Sequence, residues 1–575
     1  MAEAARENMS GQRPTVPTWL VPGFILFCLV YPRHDFAYYS NVNESARIYL
    51  VMAAVDHRVL QIDESIKQFG DVHDKAEHGG HFYCDKPIGL SLLAVPVYGV
   101  MKVVGAVMGH GWTLGELRYI FTVVCVSLPT VLLCIGLRRY WRELTGDALL
   151  VEFAILAYAL GTIAFTYSTQ FMGHQLAAVL AGAHFLLARR VTNRTGWRIA
   201  ATMGLLAGLG AITDYFSSFL HLFIILGYVR RMRPWSVWAG WLLAGVVGVA
   251  PLLIYNTICF GGPLTIAYAY ESLGVFKESH STGFMGVTFP RLESMWGLLF
   301  SASKGLFYLS PFLVFALLGI GPGLRSREWR GEWIVILLGV VTIMYLAMSL
   351  LVWRAGRTIG PRHMVSMLPL LMTLVVMGVS RRPMVRPWFV GLTILGTAII
   401  GISTMTLPGF EENFENPFAS QAMFLLGRGW VSPNLGQAIG LRGVWSLVPL
   451  ALVFGGLLVY LTRTMNDAKR RLFTWSRVGA MALSIGWFGF VARHEPDHPA
   501  LLTLLQGRTL GLLGEFRDSS VFLERAIDLN PSQDFLQESV PQLLVNYQQL
   551  GDQRAVQRLE AKVRRIESGE VQPSH

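Results

Sequence analysis

At 575 residues, with 53% hydrophobic and only 15% charged positions and a mean hydropathy of +0.45, the chain is too apolar for a soluble globular protein. A net charge of +11 would suggest a nucleic-acid ligand in a soluble protein, but here the basic residues sit in short loops between apolar runs, where they orient membrane spans. Nucleic acid is excluded as a partner, and the lipid bilayer is expected as one.

The N-terminal tail (1–17) leads into a first span at 18–31. No small-residue cleavage site follows that span, so it reads as an anchor. Arg6 and Arg13 ahead of it put the N-terminus in the cytoplasm and the next segment, 35–115, outside. Within this first extracytoplasmic loop, Ile48, Val51, Met52, Val55 and Val59 recur at helical spacing, which predicts an amphipathic helix at the membrane surface over 44–60. The apolar stretch from Pro87 to Met108 is expected to be interfacial or re-entrant, because a full crossing would place Arg138, Arg139 and Arg142 outside.

Spans are then predicted near 116–137, 147–166, 171–188, 199–214, 215–229 and 236–257. Their inner ends carry Arg138, Arg139 and Arg142, then Arg189, Arg190, Arg194 and Arg198, then Arg230, Arg231 and Arg233. A second outer loop covers 259–303. Spans near 304–322, 333–352, 363–380 and 388–405 follow, a third outer loop covers 406–441, and spans near 443–462 and 475–492 complete a membrane domain of 18–492. With about thirteen spans the C-terminus lies outside. Five scattered cysteines without a CxxC pair indicate neither a disulfide framework nor a zinc ribbon.

The last segment, 493–575, turns polar. LLTLLQGRTLGLLGEFRDSSVFLERAIDLNPS reads as a helix, a turn at Gly514, a helix containing Ala526, and a close at Pro531; a second helix pair is predicted near 535–550 and 553–566. This resembles a tetratricopeptide repeat, which implies a small extracytoplasmic α-helical domain that offers a surface to a protein partner. So few repeats are expected to rest on the membrane domain.

Polar chemistry concentrates in the first outer loop. Glu44-Ser-Ala-Arg47 is followed there by Tyr83-Cys-Asp85-Lys86-Pro87. The pattern resembles that of GT-C superfamily glycosyltransferases that use polyprenyl-phosphate sugars, among them the aminoarabinose transferases and protein O-mannosyltransferases. Those carry Asp-Glu-x-Arg on the first outer helix, and bacterial members carry Tyr-x-x-Lys-Pro-Pro later in the loop. Aligned without a gap, Glu44 takes the place of the family's catalytic Asp, Arg47 that of its Arg, and Lys86 that of its Lys, while Ile88 replaces the second Pro. The resemblance implies an all-α polytopic membrane protein with a GT-C-like bundle and a large first extracytoplasmic loop. It also implies a polyprenyl-phosphate-linked sugar donor, an envelope glycan, lipid or protein acceptor, and a bacterial inner (plasma) membrane location.

An inverting transfer needs a carboxylate to accept the acceptor's hydroxyl proton and fixed cations to receive the departing phosphate. Glu44 is the expected catalytic base, with Asp35 the competing carboxylate; Arg47 and Lys86 are expected to bind the donor phosphate. The bland alternative is an ordinary i,i+3 ion pair of Glu44 and Arg47 on a surface helix. Asp85 and Tyr83, beside the Lys-Pro, are substrate-binding candidates.

His73, His78 and His81 lack any metal-ligand spacing, so no metal site is expected, no cofactor is required and a divalent cation is not indicated. Asp214 and His174 fall at outer span ends and join the substrate-binding candidates. Trp353 to Arg362 sets three arginines among glycines at an outer loop, making Arg357 and Arg362 candidate donor-phosphate ligands or partners for lipid headgroups. The Gly204–Gly210 cluster suits close helix packing. Two competing readings are a lipid-linked sugar flippase or transporter, for which no midplane cluster or inverted repeat is visible, and a membrane scaffold recruiting partners through its helical tail.

Overall fold

The computed structural model describes residues 17–35, 41–192, 196–228, 235–283, 285–463 and 499–568. The apolar runs become helices because a backbone in hydrocarbon must satisfy its N–H and C=O groups within its own segment. In chain order the main helices are α1 (Leu20–Val30), α2 (Val42–Met52), α3 (Gly89–Met108), α4 (Leu114–Thr145), α5 (Ala148–Gly161), α6 (Gly173–Ala188) and α7 (Trp197–Thr213). There follow α8 (Tyr215–Tyr228), α9 (Trp235–Phe260), α10 (Pro311–Arg325), α11 (Arg330–Met348), α12 (Arg362–Arg381), α13 (Pro383–Thr406) and α14 (Gly443–Leu461). Among the described residues seven helices are long and apolar enough to cross a membrane: α3, α4, α9, α11, α12, α13 and α14. The span expected at 475–492 and the inner-end residues Arg194, Arg230, Arg231 and Arg233 lie outside the described residues.

Three elements depart from the sequence reading. The stretch after Pro87 forms α3, one continuous 20-residue helix without a re-entrant turn; an interfacial course for it keeps Arg138, Arg139 and Arg142 at an inner end. The run near 304–322 is broken: Leu306–Leu309 is a single turn, and α10 begins only at Pro311. The third departure is α2, which is buried all round from Asn43 to Met52 and has no polar face in water. Two clusters cover it. Ile48, Val51 and Met52 pack with Leu90, Ala94 and Tyr98 of α3, while Ala46, Tyr49 and Leu50 pack with Tyr83, Cys84, Tyr255 and Phe260.

The one strand pair among the described residues is the antiparallel hairpin β1 (Lys75–His78) and β2 (His81–Cys84), with Ala76 opposite Tyr83. It hands the chain to Asp85-Lys86-Pro87 at the start of α3. Ala76 also bridges to Glu271, and the Ser272 amide donates to the Lys75 carbonyl at 3.1 Å, so the first and second outer loops are tied together.

Deeper in the bundle α5 and α12 are enclosed on nearly every side. At the arginine-bearing end Arg138 meets Glu152 at 2.7 Å and donates to the Thr18 carbonyl at 2.8 Å, and Arg142 reaches the same carboxylate. Helices α7 and α9 cross through glycines: a Cβ at Gly204 or Gly208 would strike the carbonyls of Trp241 or Gly245, so small residues set how closely the two backbones approach. His184 of α6 and His221 of α8 are buried with their Nδ1 atoms 2.9 Å apart.

The polar tail forms α15 (Pro499–Leu512), α16 (Phe516–Leu529), α17 (Gln533–Leu550) and α18 (Gln553–Glu567). It rests on the third outer loop: Leu510 and Leu513 pack with Leu407 and Leu425, the Phe424 and Phe522 rings meet edge to face at 5.6 Å, and Arg428 pairs with Asp518.

Candidate active site

The site is assembled at one end of α2, α6, α7 and α12 from segments far apart in the chain. On α2, Asn41 caps the helix by accepting from the Asn43 amide at 3.1 Å. Asn43 and Arg47 lie one turn apart on one face. Arg47 is 3% exposed; its Nε donates to Asn43 Oδ1 at 3.2 Å and its guanidinium reaches the Pro87 carbonyl. One side chain thereby fixes the Lys-Pro segment to the helix.

The hairpin side carries charge in pairs. Lys86 sits between Asp85 Oδ2 at 2.9 Å and Asp74 Oδ2 at 3.2 Å. Asp85 is enclosed, its Oδ1 has no hydrogen-bond partner, and burial pushes its carboxyl up to about 7 against the pull of Lys86. Next to the hairpin, Glu271 Oε2 is 2.8 Å from His280 Nδ1, and the His280 ring stacks on Tyr268 at 4.3 Å.

The helix-end side carries a second histidine–carboxylate pair. His174 Nδ1 lies 2.8 Å from Asp214 Oδ2, and Asp214 Oδ1 accepts from the Phe216 amide at 3.0 Å, capping the turn into α8. The two helix ends meet because residue 173 is glycine: a Cβ there would fall 2.6 Å from the Thr213 carbonyl. Arg362 and His363 open α12, with the His363 ring 5.4 Å from that of His174. Arg357 projects from the preceding loop and pairs with Glu411 at 2.9 Å. That loop is pinned by Lys304, whose buried Nζ donates to the Gly356 carbonyl, the Thr358 carbonyl and Thr358 Oγ1 at 2.8, 2.7 and 2.9 Å.

Most of these groups, though not Asp85, Lys304 or Glu411, line a cavity of about 510 Å³. Of the residues singled out from sequence it brings together Arg47, Lys86, Arg357, Arg362, His174 and Asp214. Lys86 and Arg357 already have carboxylate partners. Among the described residues no carboxylate lies within ion-pair distance of Arg47 or Arg362, which leaves both free to meet an incoming anion. No cluster of three or more His, Cys, Asp or Glu able to hold a metal ion occurs among the described residues.

Four expectations about side chains are corrected. Glu44 is absent from the cavity lining: one step around the helix from Asn43, its Oε1 accepts from the Phe171 amide at 2.6 Å and its Oε2 faces Arg118 at 3.6 Å. Burial pushes its carboxyl up, while Arg118 and the Phe171 N–H pull it down. Asp35 is exposed, with its carboxylate against Gly115 and outside the lining. Tyr83 packs edge to face on Phe260 at 5.5 Å in an apolar cluster, and so supports the hairpin without touching the cavity. Asp85 lies behind Lys86, off the lining itself.

The sequence reading missed His363, Glu271, His280, Asp74 and Lys304. His363 follows Arg362 directly, and Lys304 interrupts an apolar run; either oddity was a usable signal. Glu271 and His280 give no such signal, because they become neighbours only when the second outer loop folds back on the hairpin.

No family model and no curated protein matches the chain. Among solved structures, it is similar to ArnT from Cupriavidus metallidurans in the apo state, at 15% identity and a TM-score of 0.43 over 92% of this chain and 83% of that one. ArnT from the same organism bound to undecaprenyl phosphate gives 15% identity and 0.45 over 92% and 84%. The archaeal oligosaccharyltransferase AglB from Archaeoglobus fulgidus, in complex with an inhibitory peptide and a dolichol-phosphate, gives 11% and 0.34 over 92% and 59%. Each score lies below 0.5, so no residue's role is carried across from any of them.

Proposed function

We propose that the chain is a GT-C-like membrane glycosyltransferase that takes a sugar from a polyprenyl-phosphate carrier and delivers it to an envelope acceptor. The observation that carries this reading is the convergence of Arg47 and Arg362, both without a carboxylate partner among the described residues, in a cavity that also holds two histidine–carboxylate pairs. Guanidinium groups fit phosphate oxygens in forked geometry, and imidazoles held by carboxylates move protons. Of the Glu44-to-Arg47 and Tyr83-to-Pro87 motifs, the two cations, Arg47 and Lys86, line that cavity.

In this reading the acceptor hydroxyl oxygen attacks the anomeric carbon and a new C–O bond forms. The bond from that carbon to the phosphate oxygen breaks, and its electron pair leaves on the lipid phosphate, where Arg47 and Arg362 receive the charge. The hydroxyl proton passes to His280, which Glu271 orients and which makes no hydrogen bond to either arginine. Glu44 supports α2 and its neighbours. The cavity opens on the extracytoplasmic side: α6 and α12 begin at it and run to Arg189 and Arg381 at their far ends, the inner ends by the positive-inside rule.

A transporter reading draws on one observation, the buried His184–His221 pair inside α6 and α8. The two readings separate in proteoliposomes given a panel of labelled polyprenyl-phosphate sugars together with envelope extract. Transfer predicts label leaving the carrier, reduced about tenfold or more in Arg47→Gln and Arg362→Gln. Carrier that crosses the bilayer with its sugar still attached would overturn the proposal.

A further inference from the structure

His174 opens α6, and its Nδ1 is committed to Asp214 at 2.8 Å. Its Nε2 makes no hydrogen bond among the described residues, and the side chain lines the cavity. The charged and titratable groups facing the ring come from every element around it. Asp214 ends α7. Arg47 of α2 reaches the first turn of α6, with its guanidinium 3.6 Å from the place a Cβ on Gly173 would occupy. Arg362 and His363 open α12, the latter with its ring 5.4 Å away, and Tyr167 stands edge-on at 5.8 Å.

A proton on this imidazole is thus drawn by one carboxylate and repelled by two guanidinium groups. A phosphate monoester entering between Arg47 and Arg362 reverses that balance. It neutralises the arginines and offers an acceptor oxygen to the one ring nitrogen still without a partner. We propose that binding of a phosphate monoester in this cavity is coupled to the uptake of one proton from water by His174, whose imidazolium is then held by Asp214 at Nδ1 and donates from Nε2 to a phosphate oxygen. This inference rests on the glycosyltransferase reading only for the identity of the phosphate, a lipid headgroup; inorganic phosphate shares the chemistry. During turnover the same imidazolium stays on the phosphate as the sugar leaves it. Asp214 is a positioning residue, since it acts through His174.

The test is calorimetric titration of the full chain in phosphatidylcholine nanodiscs at about pH 7.5, a unit above the ordinary imidazole value. Undecaprenyl phosphate and, separately, inorganic phosphate are the probes, each in two buffers of different ionisation enthalpy, so that bound protons are counted. Wild type is expected to take up about one proton more than His174→Asn, which keeps a donor to Asp214, and to bind about tenfold more tightly. His174→Gln, which keeps a neutral donor near Nε2, recovers part of the affinity and none of the proton uptake. Asp214→Asn lowers the uptake and leaves His174 in place. A merely structural histidine would change affinity without changing the proton count. Wild-type affinity and proton count in both His174 variants would overturn the proposal while leaving the glycosyltransferase reading intact. Binding of inorganic phosphate but not the lipid would overturn that reading and keep the His174 coupling; binding of neither probe by wild type would sink both.

Discussion

The Lys304 side-chain nitrogen, fully buried, sits 2.7 Å from the Thr358 carbonyl and 2.8 Å from that of Gly356, so one amine holds the turn that leads to Arg357 and Arg362. Replacing Lys304 by Met leaves two carbonyls without that donor. The expected cost is about 2–3 kcal/mol of stability, with a roughly tenfold loss of undecaprenyl-phosphate affinity as the arginines lose their fixed position. Thermal unfolding and a lipid titration read the two effects. Unchanged values in both would show that the turn holds itself.

Arg47 bonds Asn43 through Nε and the Pro87 carbonyl through a terminal nitrogen, two donors at separate places along the side chain that the single nitrogen of a lysine does not reproduce. Arg47→Lys should therefore behave nearly as badly as Arg47→Gln, with undecaprenyl-phosphate affinity about 10–100-fold lower. Asn43→Ala removes only one of the two anchors and should cost about threefold. A titration in which Arg47→Lys matched wild type would show that charge alone matters at this position.

Glu44 separates a structural role from a chemical one. Glu44→Gln keeps an acceptor for the Phe171 amide but leaves the buried Arg118 without its carboxylate. The variant should lose about 3 kcal/mol of stability, while undecaprenyl-phosphate affinity stays within a few-fold of wild type. A variant of full stability with abolished transfer would restore Glu44 as the base.

Asp85 predicts a pH dependence. Burial raises its carboxyl to about 7 in the folded chain, against an ordinary value near 3.8 when unfolded. Below the unfolded value both states hold the proton and nothing is lost. As pH rises from about 4 towards 7 the unfolded state gives up the proton first, so folding is progressively disfavoured, and above 7 the penalty is constant. Asp85→Asn removes this slope: its melting temperature relative to wild type should climb between about pH 4 and 7 and then level off. A difference independent of pH would show that the pairing with Lys86 offsets burial.

Much of the fold was legible because its cause is local. Apolar runs of span length, with arginines at alternate ends, mark α5 to α9 and α11 to α14 to within about five residues, whereas α4 runs on to Thr145 and α10 begins only at Pro311. Arg47 and Lys86 stand out through the motif resemblance, Arg357 and Arg362 as arginines among glycines in an outer loop, and His174 and Asp214 as polar groups at apolar span ends; all six meet in one cavity. The proposed base was not legible in the same way. The apolar spacing on the Glu44 helix leaves one face for water, whereas residues brought from α3 and α9 cover that helix on both sides. Glu271 and His280 belong to a loop whose placement depends on the Ala76 bridge, a contact between segments nearly two hundred positions apart that no spacing rule encodes.

His184 and His221 approach Nδ1 to Nδ1 at 2.9 Å, and only one hydrogen fits between the two atoms. When both rings are neutral they must therefore be opposite tautomers: one gives the shared hydrogen, while the other accepts it and carries its own on Nε2. Exchanging those parts means relocating hydrogens at both ends of both rings, away from water. The pair thus tells α6 from α8 by which imidazole owns the hydrogen, and losing either ring leaves the Nδ1 of the other without its partner in the core of the bundle, beside an Nε2 that has none.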